Sequence, residues 1–321
     1  MSGTVKPSIH EGDAQAAAAR PAVVREESAR LMKLATRASV VVAGTLIVVK
    51  LGAWLLTDSV SILSSLLDSL MDVMASLVNL VAVHHALQPA DREHRFGHGK
   101  AEPLAGLAQA AFITGSAVLL TIEAVSRLFH PQPVVYAEVG IGVMLFSIAL
   151  TVGLVAFQRH VVRKTGSTAV GADALHYQTD VLVNGSVIVS LGLSKWLGWH
   201  LADPLFAIAI AAYLVRSVWQ IAAHALDLLM DREFPDEDRA RIRDIVLSHS
   251  RVKGMHDLRT RSSGIQPFVQ LHLELDGDLL LREAHEIADE VEAMIMEAFP
   301  GAEVIIHQDP EGLVEEQPDF A

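Results

Sequence analysis

The chain has 321 residues, of which 51% are hydrophobic and only 20% charged, and its mean hydropathy is +0.36, too apolar for an ordinary soluble domain and incompatible with a disordered or collagen-like chain. It has no cysteine, which excludes disulfide frameworks, thiolate zinc fingers, iron–sulfur clusters and cysteine nucleophiles, so any metal site must draw on its 15 His and 38 Asp and Glu. The net charge of −13 lies in one part: residues 1–230 balance 16 Lys and Arg against 16 Asp and Glu, whereas residues 231–321 carry 9 against 22, an acidic balance that repels nucleic acid and suits a cation partner.

The first 34 residues are polar and Ala-rich, with no apolar stretch of signal-peptide type before Ala38, and predict a mobile N-terminal tail. Six segments near the length that crosses a bilayer, about 20 mostly apolar residues, follow near 38–56, 60–87, 103–129, 134–157, 167–194 and 203–228. Residues 35–231 therefore predict six transmembrane helices. Thr57 to Ser59 leave room only for a tight hairpin, Pro131 and Pro133 break the chain between the third and fourth segments, and Gly198 beside Trp196 and Trp199 ends the fifth. One side of the membrane collects Arg30, Lys33, Arg37, Arg92, Arg95, Lys100, Arg159, Arg163, Lys164 and Arg232, the other chiefly Arg127 and Lys195. The positive-inside rule then places both termini in the cytoplasm. Lys50 is the single charge of the first segment, and Arg216 inside the sixth must snorkel or face a wet cavity.

Two of the segments carry buried chemistry. Asp68 and Asp72 in the second, and His176 and Asp180 in the fifth, are each four residues apart and so share a helix face. Such groups cost several kcal/mol in a membrane unless they pair or bind a cation. Hydrogen bonds to a neighbouring helix would satisfy one such pair, but two pairs at matching depth are harder to dismiss. Three carboxylates and an imidazole can surround a divalent metal at about 2.0–2.2 Å, and no lysine or arginine lies nearby in sequence to neutralise them. The loop after the second segment places Asp91, His94 and His98 where they could form a solvent-accessible three-ligand site, a weak signal by itself.

From Pro235 a helix with an acidic start, Asp236-Glu237-Asp238, runs through Ile242, Ile245 and Val246. Strands follow at 252–261 and 267–275, the second alternating Phe268, Gln270, His272 and Glu274 with Val269, Leu271, Leu273 and Leu275, with Ser262-Ser263-Gly264 as the turn. A helix at about 282–298 and a strand at 302–307 complete an αββαβ order. That order predicts a small antiparallel α+β sheet with two helices on one face, occupying residues 232–311 before a short tail, 312–321. His256, His272, His285, His307 and Asp309 are scattered along it. Singly they read as surface residues; attached to a membrane metal site they read as a cytoplasmic metal cluster.

These motifs together resemble the cation diffusion facilitator family, and in particular its bacterial zinc and ferrous-iron efflux members, from about Ala35 to Pro310. The resemblance rests on Asp68-x-x-x-Asp72, the stretch from Pro89 to Glu102 that includes Phe96-Gly-His98-Gly-Lys100, His176-Tyr-Gln-x-Asp180, His256-Asp-Leu-Arg-Thr-Arg261 and Val304-Ile-Ile-His307-Gln-Asp309-Pro310. It implies a ferredoxin-like cytoplasmic domain and a homodimer in the bacterial inner membrane, surrounded by lipid. It further implies a transport site of Asp68, Asp72, His176 and Asp180, a loop site of Asp91, His94 and His98, and a cytoplasmic site of His256, His272, His307 and Asp309 with His285 contributing. Lys100 and Asp231 match a salt bridge near the dimer interface of relatives.

The implied activity is efflux of a divalent cation in exchange for protons by alternating access, with zinc the first candidate for transported and regulatory ion and cadmium or ferrous iron also suited. The rival reading is a membrane-anchored metal-binding or sensing protein that transports nothing. An enzyme fits poorly, because four membrane ligands leave no open coordination position.

Overall fold

Inside a bilayer a backbone satisfies its polar groups only within its own segment, so the apolar stretches of this sequence must be helical. The computed structural model describes residues 9–57, 60–129, 138–199 and 201–312. Six long helices come first, α1 (Ile9–Thr57), α2 (Val60–Ala86), α3 (Ala101–Phe129), α4 (Glu138–Thr165), α5 (Thr168–Leu197) and α6 (Ala202–Leu229). They are followed by α7 (Asp236–Leu247), β1 (Gly254–Ser263), β2 (Gln266–Leu275), α8 (Leu281–Ala298) and β3 (Glu303–Pro310). A helical unit, Arg30–Leu229, is distinct from a second unit that takes in Met230 onward.

Among the described residues, five of the long helices are apolar enough to cross a membrane, over Glu26–Thr57, Ser65–Ala86, Ala101–Ser126, Ile141–Thr165 and Pro204–Leu229. The sixth expected span, α5, has 30 residues, roughly 45 Å of helix, but Asp173, His176 and Asp180 dilute its hydropathy. Two ends differ from expectation. α1 begins at Ile9, within the segment read as a tail, and α4 continues to Thr165 rather than stopping at 157. At α4 the exposed Arg159, Arg163 and Lys164, good helix formers with solvated heads, carry the helix past its apolar stretch, and the added length of α1 is Ala-rich, the residue of highest helix propensity. The hairpin residues 58 and 59, together with Pro131 and Pro133, lie outside the described residues.

Helices in lipid gain nothing from mutual hydrophobicity and pack where small residues allow close approach. α3 and α6 meet through Ile113 and Ala117 against Ile210 and Leu214, with Leu175 of α5 completing the cluster. α1 and α4 enclose Tyr177 of α5 between Ala43, Leu154 and Val155. Gly106 lets α3 come close at this crossing: a Cβ there would stand 3.0 Å from Thr168 Cγ2, a tight contact that the threonine would have to relieve, and 3.8 Å from Ala225 Cβ.

In the second unit β1 and β2 form an antiparallel hairpin whose turn uses Gly264 at φ +61°. β3 pairs with β2 in parallel, so the expected all-antiparallel sheet is corrected to a mixed one of order β1-β2-β3. The cause is α8: the helix carries the chain back to the starting end of β2, and a strand entering after such a crossover runs parallel. Val269, Leu271, Leu273 and Leu275 turn one face of β2 onto Ile242 and Val246 of α7 and Ile287, Val291 and Ile295 of α8. The two helices thus cover one face, as the alternation requires, and leave the other for chemistry.

Candidate metal centres

Residues four apart on a helix lie one turn apart on one face, and α5 presents His176 and Asp180 in this way. α2 brings Asp72 to them: His176 Nε2 lies 3.0 Å from Asp72 Oδ1, and one ligand atom from each of Asp72, His176 and Asp180 falls within 4.8 Å of the others. Two carboxylates and an imidazole converging between apolar helices can replace the hydration shell of a divalent cation. Asp68, one turn earlier on α2 and exposed, stays outside this close group, so three of the four expected residues are assembled.

Lys50 enters where the sequence showed no neighbouring base. It is 8% exposed, and its Nζ donates to Ser69 Oγ at 2.6 Å and to the Ser65 carbonyl at 3.1 Å. Its side-chain nitrogen is thereby lodged on α2 in the neighbourhood of Asp72, Asp180 and Asp68. The available signal was its place in the first span, since an intramembrane lysine needs a partner.

Asp173, one turn before His176, was also missed. It is 1% exposed and gathers donors from three other helices: Ser39 Oγ of α1 at 2.6 Å, Gln109 Nε2 of α3 at 3.2 Å and Gln158 Nε2 of α4 at 2.7 Å. Gln158 Nε2 also reaches Ser39 Oγ at 2.9 Å. Beside it Tyr177 shares a hydrogen bond with Ser76 Oγ of α2 at 2.7 Å. A buried carboxylate with its lone pairs met in this way fixes where α5 sits among its neighbours.

The loop between α2 and α3 brings its three expected residues together. Asp91 Oδ1 lies 3.3 Å from His94 Nδ1, and Oδ2 lies 3.4 Å from His98 Nε2. The amides of His94 and Glu93 donate to Asp91 Oδ1 at 2.6 and 2.9 Å. Those bonds, the His94 amide foremost, hold the Asp91 carboxyl below the usual aspartate range. His98 Nδ1 is buried without a hydrogen-bond partner, and the His85 ring packs at 4.7 Å from the His98 ring.

Across the sheet, register builds the third centre. His256 of β1 stands opposite His272 of β2, and His272 opposite His307 of β3, one imidazole row on the face that α7 and α8 leave uncovered. Asp309, two residues after His307 and so on the same face, accepts from His272 Nδ1 at 2.8 Å and lies 3.2 Å from His307 Nε2 and 3.5 Å from His256 Nε2. His256, His272 and Asp309 form the close group; His307, its side chain 62% exposed, rims it. His256 Nε2 is buried with no hydrogen-bond partner, an unmet lone pair that a metal ligand has and a structural histidine does not, so these residues fit a bound divalent ion.

Two further acids belong here. Glu274 Oε1 lies 2.8 Å from His256 Nδ1, and Gly254 opposite it makes room, since a Cβ there would meet Glu274 Oε2 at 2.5 Å. Asp257, at φ +44° beside a break in the β1–β2 register, reaches to 3.9 Å from His272 Nε2. Glu274 was legible two positions after His272 on the same strand face, and Asp257 beside His256. His285 is not brought in: it is 68% exposed on α8 and pairs with Asp289, one turn on. Lys100 donates to the Leu229 carbonyl at 3.2 Å, and Asp231 faces Arg261 at 3.4 Å.

Residues 36–230 match the family model described as the cation efflux transmembrane domain, and residues 234–311 that of the cation efflux protein cytoplasmic domain. A cation-efflux pump FieF from Klebsiella pneumoniae is 51% identical over 285 residues, 89% of this chain and 95% of its own. Its counterpart in Salmonella choleraesuis is 52% identical over 281 residues, 88% and 93% of the two chains. Among solved structures, the zinc form of a putative zinc transporter, CzrB, is 38% identical over 27% of this chain and 99% of its own, with a TM-score of 0.25.

Proposed function

The chain belongs to the cation diffusion facilitator family and is a cation efflux transporter, and from that premise we propose that it exports zinc, with cadmium and ferrous iron as further substrates, across the bacterial inner membrane in exchange for protons. The observation that carries the proposal is the close group of Asp72, His176 and Asp180 between α2 and α5. Carboxylate and imidazole bind metal only when deprotonated, so metal and protons compete for the same lone pairs. The Asp72–His176 contact of 3.0 Å has to open for a cation to enter, and protons arriving on the far side restore it as the cation leaves. Asp68 serves as the fourth ligand once α2 shifts by part of a turn, and Lys50 holds the empty acid group together without filling it.

The test is metal-dependent proton flux in proteoliposomes, comparing zinc, ferrous iron, cadmium and manganese in wild type and His176→Ala. Zinc moving against an imposed pH gradient, with the variant silent, is the expected result. Zinc transport that leaves the proton gradient untouched would sink the antiport reading.

The sheet centre is proposed as the regulatory site of a homodimer, with Lys100 and Asp231 at its interface. An acidic surface repels its own copy, and bound divalent ions lower that repulsion; if metal favours the paired state, pairing raises metal affinity by the same factor. Zinc-dependent tightening of the pair, read by fluorescence transfer between labelled protomers, is expected in wild type and lost in His272→Ala.

A further inference from the structure

α5 has a second working face. Gly171, Leu175 and Gln178 recur three and four positions apart on the side of the helix opposite Asp173, His176 and Asp180, and with α4 and α6 they bound a cavity of about 610 Å³. Arg159 and Arg163 enter it from α4, and Tyr213 and His224 from α6. Arg159 donates to Gln178 Oε1, and Gln178 Nε2 donates to Tyr213 Oη at 2.9 Å, so a polar chain runs from α4 through α5 to α6. Arg163 stands one turn further on, about 6 Å along the helix. Among the described residues no acidic side chain lines the cavity, and the sequence has none between Glu138 and Asp173 or between Asp203 and Asp227. Two guanidinium groups therefore line a space in which the described residues offer no anion.

We propose that this cavity holds the phosphate-bearing headgroup of an anionic phospholipid, gripped by Arg159 and Arg163. Guanidinium matches phosphate geometry with paired donors, and basic pockets between spanning helices are sites where anionic headgroups lodge. Val162, Leu175 and Ile221 give the same cavity an apolar wall, which suits a ligand with acyl chains better than free phosphate. A lipid seated there braces α5 from behind, on the face away from the metal ligands. The inference needs only that the helical unit lies in a bilayer, and it stands apart from proton coupling and metal choice.

The experiment measures lipid retention by the purified, metal-free full-length protein in native mass spectrometry, with phosphatidylglycerol against phosphatidylcholine. Wild type should retain phosphatidylglycerol preferentially, and the double variant Arg159→Gln/Arg163→Gln should hold it about thirtyfold less, from two lost interfacial charges. The charge-preserving pair Arg159→Lys/Arg163→Lys should keep most of the preference, and excess inorganic phosphate should not displace the lipid. Unchanged retention in the glutamine variant, no preference in wild type, or displacement by phosphate would each overturn the assignment. If the glutamine variant fails to elute as folded protein, the wild-type preference and the phosphate competition decide.

Discussion

The intramembrane centre and the sheet centre use the same donors and hold them in opposite ways. Asp72, His176 and Asp180 are shared between two separate helices, with a direct histidine–carboxylate contact inside the group. His256, His272 and Asp309 are fixed by a ladder of backbone hydrogen bonds and pair register, with one imidazole nitrogen left unmet. On the proposed function, the centre that releases its ion is shared between two separate helices, and the one that reports an ion is built on a hydrogen-bonded sheet. The difference lies in the scaffold and not in the ligand chemistry.

The sharpest way to break this contrast is at the helical centre. Asp72→Asn is expected to lower metal flux by about a hundredfold, and Asp68→Asn by about tenfold, since only Asp72 belongs to the close group (the scale for loss of a supporting metal contact is about 10- to 100-fold). Equal losses in a vesicle flux assay would mean that both carboxylates coordinate equally throughout the cycle. At the sheet, Leu273→Ala removes a fully buried side chain beneath the imidazole row and should cost about 2–5 kcal/mol, read by denaturant unfolding of the second unit. Retained metal binding in that variant would show the frame to be less rigid than described.

A gentler change sharpens the comparison at the same sheet. Glu274→Gln weakens the carboxylate that orients His256 and should reduce zinc affinity there by about tenfold, whereas His285→Ala should leave it unchanged; calorimetry on the full-length protein distinguishes the two. The smallest effect is expected in the loop. Asp91 is held below the ordinary aspartate range, so its ionisation stabilises the loop above that range and the contribution fades as pH falls through the lowered value. Hydrogen exchange at the amides of Glu93 and His94 should accelerate on acidification below about pH 4 in wild type, and be fast and independent of pH after correction for intrinsic rates in Asp91→Ala.

How readily each centre could be seen beforehand follows from the same scaffolds. Helical spacing is local, so His176 and Asp180 announced their shared face four residues apart, as did the six apolar lengths. The imidazole row depends on strands 16 and 35 positions apart falling into register at His256, His272 and His307, which residues alone do not specify. The parallel entry of β3 was hidden for that reason, since strand direction belongs to the crossover and not to the strand. Lys50 and Asp173 escaped because their partners lie on other helices, and only packing shows that Ser69, or Ser39 and Gln158, stand opposite them.

The carboxylate of Asp173 bears on how this chain can change over generations. Ser39, Gln109 and Gln158 all give it a hydrogen bond, so an exchange at any one of them leaves a buried carboxyl group short of a donor. Such positions drift as a block: an apolar replacement at Gln158 becomes tolerable chiefly after Asp173 has itself turned neutral. Among descendants of this sequence the four residues should therefore be kept together or lost together, although none of them is needed to touch the cargo.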